Sequence, residues 1–338
     1  RLFSYMAGRY IGHIFPNMQE RHKLLLMSLV VGVSCGLAAV VLSTLIHWIQ
    51  HFLSGILEGG SRPFLYLLLP GLGMLIALLL VKYIIKDNIS HGVTKVLVAV
   101  SKNESRIKPH NTWSSILTSA VTIGFGGSVG AEAPIVYTGA AIGSNFARIA
   151  GLSHRSMTIL IGCGAAGAVA GIFKAPLAGV LFTLEILLFN ISMTSMMPLL
   201  LSTVSATVVS YIFLGNEHPF QCTLTPFSMI NIPFYIILGI VGGLFSVYFI
   251  RMTLHLEDRI GNISNNYLRW ALCAAGLGLL IFLFPPLYGE GYSSLGVLLN
   301  GGSIDLEGGT PLAFLLRSKW GIPFFFLLIL LLKVFSMT

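Results

Sequence analysis

Apolar segments follow one another along the chain with only short breaks, and this pattern predicts twelve helices. They fall at about 24–53, 63–85, 93–100, 113–124, 134–149, 157–173, 176–189, 197–214, 233–255, 268–284, 292–299 and 311–337. Several are too short to cross ~30 Å of hydrocarbon at ~1.5 Å per residue. Short apolar helices bounded by Gly and Pro point to broken or re-entrant helices. These are tolerated in a bilayer only where protein buries them or where they line a watery cavity. The expected fold class is therefore an all-α polytopic membrane protein.

Composition agrees. Of 338 residues, 55% are hydrophobic and 9% charged, against about a quarter charged in a soluble domain. So few charges cannot cover a soluble surface of this size. The 37 glycines suit closely packed membrane helices. Cys35, Cys163, Cys222 and Cys273 are scattered without a CxxC, so no disulfide frame or zinc site is suggested, and no cofactor is expected. The net charge of +8 comes without a basic, aromatic-interleaved cluster, so nucleic acid is not an expected partner. The charge marks orientation instead. Arg21 and Lys23 precede the first helix, no Lys or Arg follows until Arg62, and none lies between Lys174 and Arg251. Residues 1–23, which contain no signal-peptide core, are thus placed on the cytoplasmic side of a cell membrane, and the polar segment 215–227 outside.

Two stretches resemble each other. Gly32-Val33-Ser34-Cys35-Gly36-Leu37 matches Gly239-Ile240-Val241-Gly242-Gly243-Leu244, Gly71-Leu72-Gly73-Met74-Leu75-Ile76 matches Gly276-Leu277-Gly278-Leu279-Leu280-Ile281, and His91-Gly92-Val93 sits against Glu290-Gly291-Tyr292. Order is kept and the offset is nearly constant. With the opposite orientation that the charges assign, this predicts an inverted repeat, an architecture of secondary transporters. The repeats are drawn at 24–214 and 233–338, joined by an extracytoplasmic loop at 215–232.

Only two acids, Glu132 and Glu185, fall inside the apolar stretch 111–214. An intramembrane acid is costly and is a functional candidate by default. Glu132 lies in Gly124-Phe-Gly-Gly-Ser-Val-Gly-Ala-Glu-Ala-Pro134, where Pro134 is well placed as the first residue of a helix. Such a helix start attracts anions through its dipole and its N–H groups. A tethered carboxylate there can occupy an anion site and leave it when protonated, which is a gate; a glutamate that only complements the dipole would look the same. Glu185, near the end of its helix, could equally pair with a basic neighbour.

Gly130-Ala131-Glu132-Ala133-Pro134 resembles the G-(K/R)-E-G-P motif of the CLC family of chloride channels and chloride/proton exchangers. The segment from Gly164 through Phe173-Lys174-Ala175-Pro176-Leu177-Ala178-Gly179-Val180-Leu181-Phe182 to Glu185 resembles the family's G-A-A-A-G…F-N-A-P-L-A-G-V-L-F-x-x-E, and Ser90-His91-Gly92-Val93-Thr94 stands where the family has G-S-G-I-P. The resemblance covers roughly residue 23 onward. It implies a CLC-type inverted-repeat fold, gating by Glu132, and an anion site formed by His91, Gly92 and Val93 with Gly130, Ala131 and Ala133. Chloride or another halide is the implied ligand, and a homodimer with one pore per subunit the implied assembly.

Departures from the pattern shape the expectations. Ala131 and Ala133 replace a basic residue and a glycine beside Glu132. His91 takes the place of the anion-coordinating serine; an imidazole N–H can still donate, and a one-residue shift would put Ser90 there. Exchangers of the family carry an acid just after the Glu185 position, where this chain has Ile186. A hydrocarbon relays no proton, so passive, uncoupled flux is expected, with proton-coupled antiport as the alternative. The fluoride-selective pattern is not closely matched. The chain stops at Thr338 inside an apolar helix, so the family's G-x-F-x-P motif and pore tyrosine would lie beyond it, and an incomplete second repeat is expected. A remote alternative rests on Gly126-Gly127-Ser128-Val129-Gly130, which fits the G-x-S-x-G of serine hydrolases. No later histidine, however, sits within a membrane helix to serve that serine.

Overall fold

The structure is a computed structural model that describes residues 18–57, 64–87, 92–102, 105–187, 193–216, 228–300, 312 and 321–337. Twelve α-helices lie among the described residues: α1 (Glu20–Leu57), α2 (Phe64–Leu79), α3 (Gly92–Lys102), α4 (Ser114–Gly124), α5 (Glu132–Ile149), α6 (His154–Phe173), α7 (Pro176–Leu187), α8 (Met193–Leu214), α9 (Ile232–Gly261), α10 (Asn266–Leu283), α11 (Tyr292–Leu299) and α12 (Gly321–Met337). Six of the described helices are long and apolar enough to cross a membrane. By contrast α3 and α4 have 11 residues each and α11 has 8. At ~1.5 Å per residue they reach about half of the hydrocarbon or less.

Several starts differ from the sequence expectation. Helix α1 begins at Glu20, four residues before Leu24, because the Glu20 carboxylate reaches α6: it accepts the Ser153 backbone N–H at 3.1 Å and the Ser156 hydroxyl at 2.7 Å. Helix α5 begins at Glu132, which makes Pro134 its third residue rather than its first. A proline is still tolerated there, since the first four N–H groups of a helix have no intrahelical acceptor. The expected helix at 63–85 is α2 followed by a π-helical segment, Leu80–Ile85.

The chain divides into two compact units. The first comprises Arg1–Ile49, Ala77–Gly124 and Gly130–His218. Its helices meet through small residues, as expected where lipid removes the hydrophobic drive to associate. A side chain at Gly139 would run into the Gly164 carbonyl, and one at Gly143 into that of Leu160, so α5 and α6 touch backbone to backbone. Helix α8 is tied to α6 by hydroxyls: Ser202 donates to the Cys163 carbonyl at 2.7 Å, Thr207 to Ala170 at 3.2 Å, and Ser210 to Gly171. A side chain at Gly32 or Gly36 would strike the α8 backbone, so α1 packs there just as closely. Lys174 ends α6 in the left-handed region, at φ 53°, which costs a non-glycine residue strain. Its buried ammonium donates to the carbonyls of Leu214 (3.4 Å) and Gly215 (2.8 Å) at the end of α8 and lies over the Tyr211 ring.

The second unit comprises Gln50–Ile76, Phe125–Val129 and Pro219–Thr338. Here the counterpart segments of α2 and α10 pack on each other. Ala274 sits against Gly71, the Leu67 carbonyl fills the space beside Gly278, and Trp270 Nε1 donates to the Gly71 carbonyl at 2.9 Å. The core of this unit is Leu277, Ile281, Phe284, Leu287 and Phe325. None of α9 is buried, consistent with a lipid-facing or partner-facing helix.

Candidate functional site

Within the first unit the site begins at α5. The helix start at Ala131 has no side-chain cap, and the leading N–H groups of a helix carry its positive dipole end. Glu132 opens the first turn, and its side chain folds back over Gly130. A Cβ at 130 would collide with Glu132 Oε2 and stand 2.7 Å from its Cδ. Gly130 thus leaves room for the folded-back carboxylate, and its backbone is not left-handed. Ala131 is buried, while Ala133 is exposed.

The start of α3 abuts the same turn. A side chain at Gly92 would lie 2.7 Å from the Ala133 carbonyl oxygen and 3.0 Å from Tyr137 Cβ. Two helix N-termini thus adjoin, and like dipole ends repel unless something negative lies near them. Gly92 and Val93 are half-buried at this junction. His91, together with Ser90, lies outside the described residues.

Glu185 and Ile186 separate as neighbours on a helix do, by ~100°. Glu185 is exposed; Ile186, like Val93, packs on the apolar cluster that includes Val96, Val136, Tyr137 and Val169. The position after Glu185 thus faces inward as hydrocarbon. Among the other described acids of this unit, Glu20 caps α6, and Asp87 pairs with Lys108 (2.7 Å) and His110 (3.1 Å).

In the second unit, the loop that leads toward Glu132 is held at two points. Gly126 has φ 94° and packs on the Tyr288 ring, and its carbonyl accepts the Gly289 N–H at 3.2 Å. Ser128, fully buried, accepts from the Lys333 ammonium at 2.8 Å and from the Ser336 hydroxyl at 3.1 Å. Sequence reasoning took up Ser128 but missed both partners, which lie 205 and 208 residues away. One signal was available: Lys333 is the single charged residue of α12, and a lone charge in an apolar helix is a functional candidate. A Ser–Lys pair also occurs in some hydrolases. Here the lysine donates to the serine, the reverse of a base taking the serine's proton, and the serine hydroxyl is closed off from solvent.

Comparison with known proteins places the chain. The profile described as "Voltage gated chloride channel" matches residues 72–338. The H(+)/Cl(−) exchange transporter ClcA of Cronobacter sakazakii is 26% identical over 299 residues, which are 82% of this chain and 62% of that protein. The putative chloride channel protein ClcB-like of Ralstonia nicotianae is 27% identical over 286 residues, 80% of this chain and 66% of the relative. The chain therefore spans somewhat less than two thirds of the length of these curated relatives. Among solved structures, a slow cyanobacterial Cl−/H+ antiporter superposes with a TM-score of 0.75 at 20% identity, covering 95% of this chain and 75% of that one. A CLC-type fluoride/proton antiporter gives 0.71 at 25% identity, covering 94% and 75%. With a profile match over more than half its length, a helical fold shared with these structures and Glu132 at a helix start within its G-x-E-x-P motif, the chain belongs to the voltage gated chloride channel, or CLC, family.

Proposed function

We propose that this protein carries small inorganic anions, chloride foremost, across a membrane in exchange for protons, with Glu132 as the gate. The observation that carries the reading is the first turn of α5: an uncapped helix start, a second helix start against it at Gly92, and a carboxylate folded over Gly130. A negative side chain held at a positive helix end stands where a permeating anion would stand, and protonation or an incoming anion displaces it. Exchange is preferred over the passive flux expected from the sequence because relatives are named as proton-coupled transporters. Uncoupled flux keeps one specific support, the hydrocarbon face at Ile186. The ion itself is read from the relatives' names, and fluoride is the competing choice.

Chloride efflux from liposomes with simultaneous pH recording tests this. A chloride gradient that drives uphill proton movement supports exchange, and flux without it returns the reading to a passive pathway. Absence of both chloride and fluoride flux overturns anion transport. A homodimer is proposed alongside. Helices α7 and α8 expose Leu177, Leu181, Val208 and Ile212, an apolar surface that suits a second copy as well as lipid. Cross-linking in mild detergent that never exceeds the monomer mass would remove the dimer.

A further inference from the structure

The glycine-rich loop ahead of Glu132 needs an explanation that its own sequence does not supply. Residues such as Gly126 and Gly127 leave the backbone unusually free, and a freely moving loop could not present a gating side chain reproducibly. Its buried polar anchor is Ser128, which meets Lys333 and Ser336 from α12; Ser336 in turn hydrogen-bonds the Lys333 carbonyl at 2.8 Å. The chemistry suits a clamp. An ammonium offers three donors, a charge-assisted bond to a hydroxyl is stronger than a neutral one, and an apolar surround leaves that bond little competition from water. Ser128 and Lys333 are 205 residues apart, so the contact ties a loop of the first repeat to a helix of the second.

We infer that the Lys333–Ser128–Ser336 cluster is a polar clamp that fixes the loop before Glu132, making Lys333 a positioning residue for the gate. Glu132 follows Ser128 by four positions, a span of at most ~14 Å even when fully extended. A loop released at Ser128 therefore loosens the chain that delivers the carboxylate. Lys333 touches no permeating anion in this role; it acts through the hydroxyl it holds.

This inference rests on the anion-transport reading only for its functional consequence, so the test has two arms. The first measures backbone amide exchange across residues 126–131 of the full-length protein in nanodiscs. Lys333→Met should speed exchange there by about tenfold, Ser128→Ala should do the same, and Lys333→Arg should restore protection. The second measures the pH profile of chloride flux in liposomes, which Lys333→Met should flatten and Lys333→Arg should recover. Native-like exchange across 126–131 in both Lys333→Met and Ser128→Ala would overturn the clamp. Loosened exchange with an unchanged pH profile would overturn the positioning role. Should Lys333→Met fail to fold, Ser128→Ala, which deletes one oxygen, carries both arms. If the unaltered protein moves no anion, the transport reading fails while the exchange arm still decides the clamp.

Discussion

Replacing Gly130 with alanine tests the folded-back carboxylate without touching its charge. The backbone at 130 is not left-handed, so a Cβ introduces no conformational strain. What the Cβ meets is Glu132: Oε2 in collision, Cδ at 2.7 Å and Oε1 at 2.9 Å. An ordinary carbon–oxygen contact needs about 3.4 Å or more, so the whole carboxylate must recede by half an ångström or further. A side chain pressed off its rotamer pays roughly 0.5–1.5 kcal/mol, and about 1.4 kcal/mol is a tenfold change in an equilibrium. The covered conformation should therefore lose up to about tenfold in population. Chloride efflux from liposomes at neutral pH should rise by up to the same factor. Because the Glu132 carboxyl is still present, some pH dependence of flux should remain, which separates this variant from removal of the charge. A folded Gly130→Ala protein whose flux stays within about twofold and whose pH profile is unchanged would show that the carboxylate does not obstruct the path.

Glu132→Gln should give flux that no longer varies with pH, measured in the same vesicles; an unchanged profile reduces Glu132 to a helix-start charge. Gly164→Ala places a methyl 2.7 Å from the Gly139 carbonyl carbon, where only backbone can yield, and should cost more than the ~1–3 kcal/mol typical of overpacking, read as lost thermal stability in detergent. Lys174→Met removes donors from the Leu214 and Gly215 carbonyls and should lower stability by about 1–3 kcal/mol in a thermal melt. A serine-reactive phosphonate should leave Ser128 unlabelled, since its hydroxyl is buried under Lys333 and Ser336; stoichiometric labelling by mass spectrometry would revive the hydrolase alternative.

Helix ends were legible where the chain punctuates itself. The ends at Gly124, Ile149, Phe173, Leu214 and Leu299 fall where the apolar pattern stops, and Pro176 opens α7 as a proline does at a first helical position. The starts of α3 and α5 fall within one or two residues of the expected 93 and 134, because helix N-termini are local features; that they adjoin was implied only by the family resemblance. Other features depend on partners distant in sequence. Glu20 extends α1 because Ser153 and Ser156 wait 133 and 136 residues away. Lys174 adopts a glycine-like backbone at a position where the family has asparagine, and what holds its ammonium is the far end of α8. The close approach of the Glu132 carboxylate to Gly130, two residues earlier, is likewise a feature no propensity scale records. The π-helical turn at Leu80–Ile85 left no mark in the sequence, because Leu80-Val81-Lys82-Tyr83-Ile84-Ile85 suits an α-helix equally well.

The backbone-to-backbone seam between α5 and α6 limits which parts of the first unit can be machinery. Helices that interdigitate through long side chains can slide while those side chains change rotamer. Where Gly139 meets Gly164 and Gly143 meets Leu160, there is no such slack, and α6 is tied in turn to α8 by three hydroxyls. Helix α5 is thus a fixed post. With the loop before it held at Ser128 as well, the freedom left at its tip lies in the torsions of the Glu132 side chain, a lever a few bonds long that can swing on the picosecond-to-nanosecond scale of side chains rather than the microseconds of a helix displacement. Under the gating role proposed for Glu132, opening a path at this tip is a matter of chemical occupancy, who holds the post at a given instant, and the scaffold does not have to move.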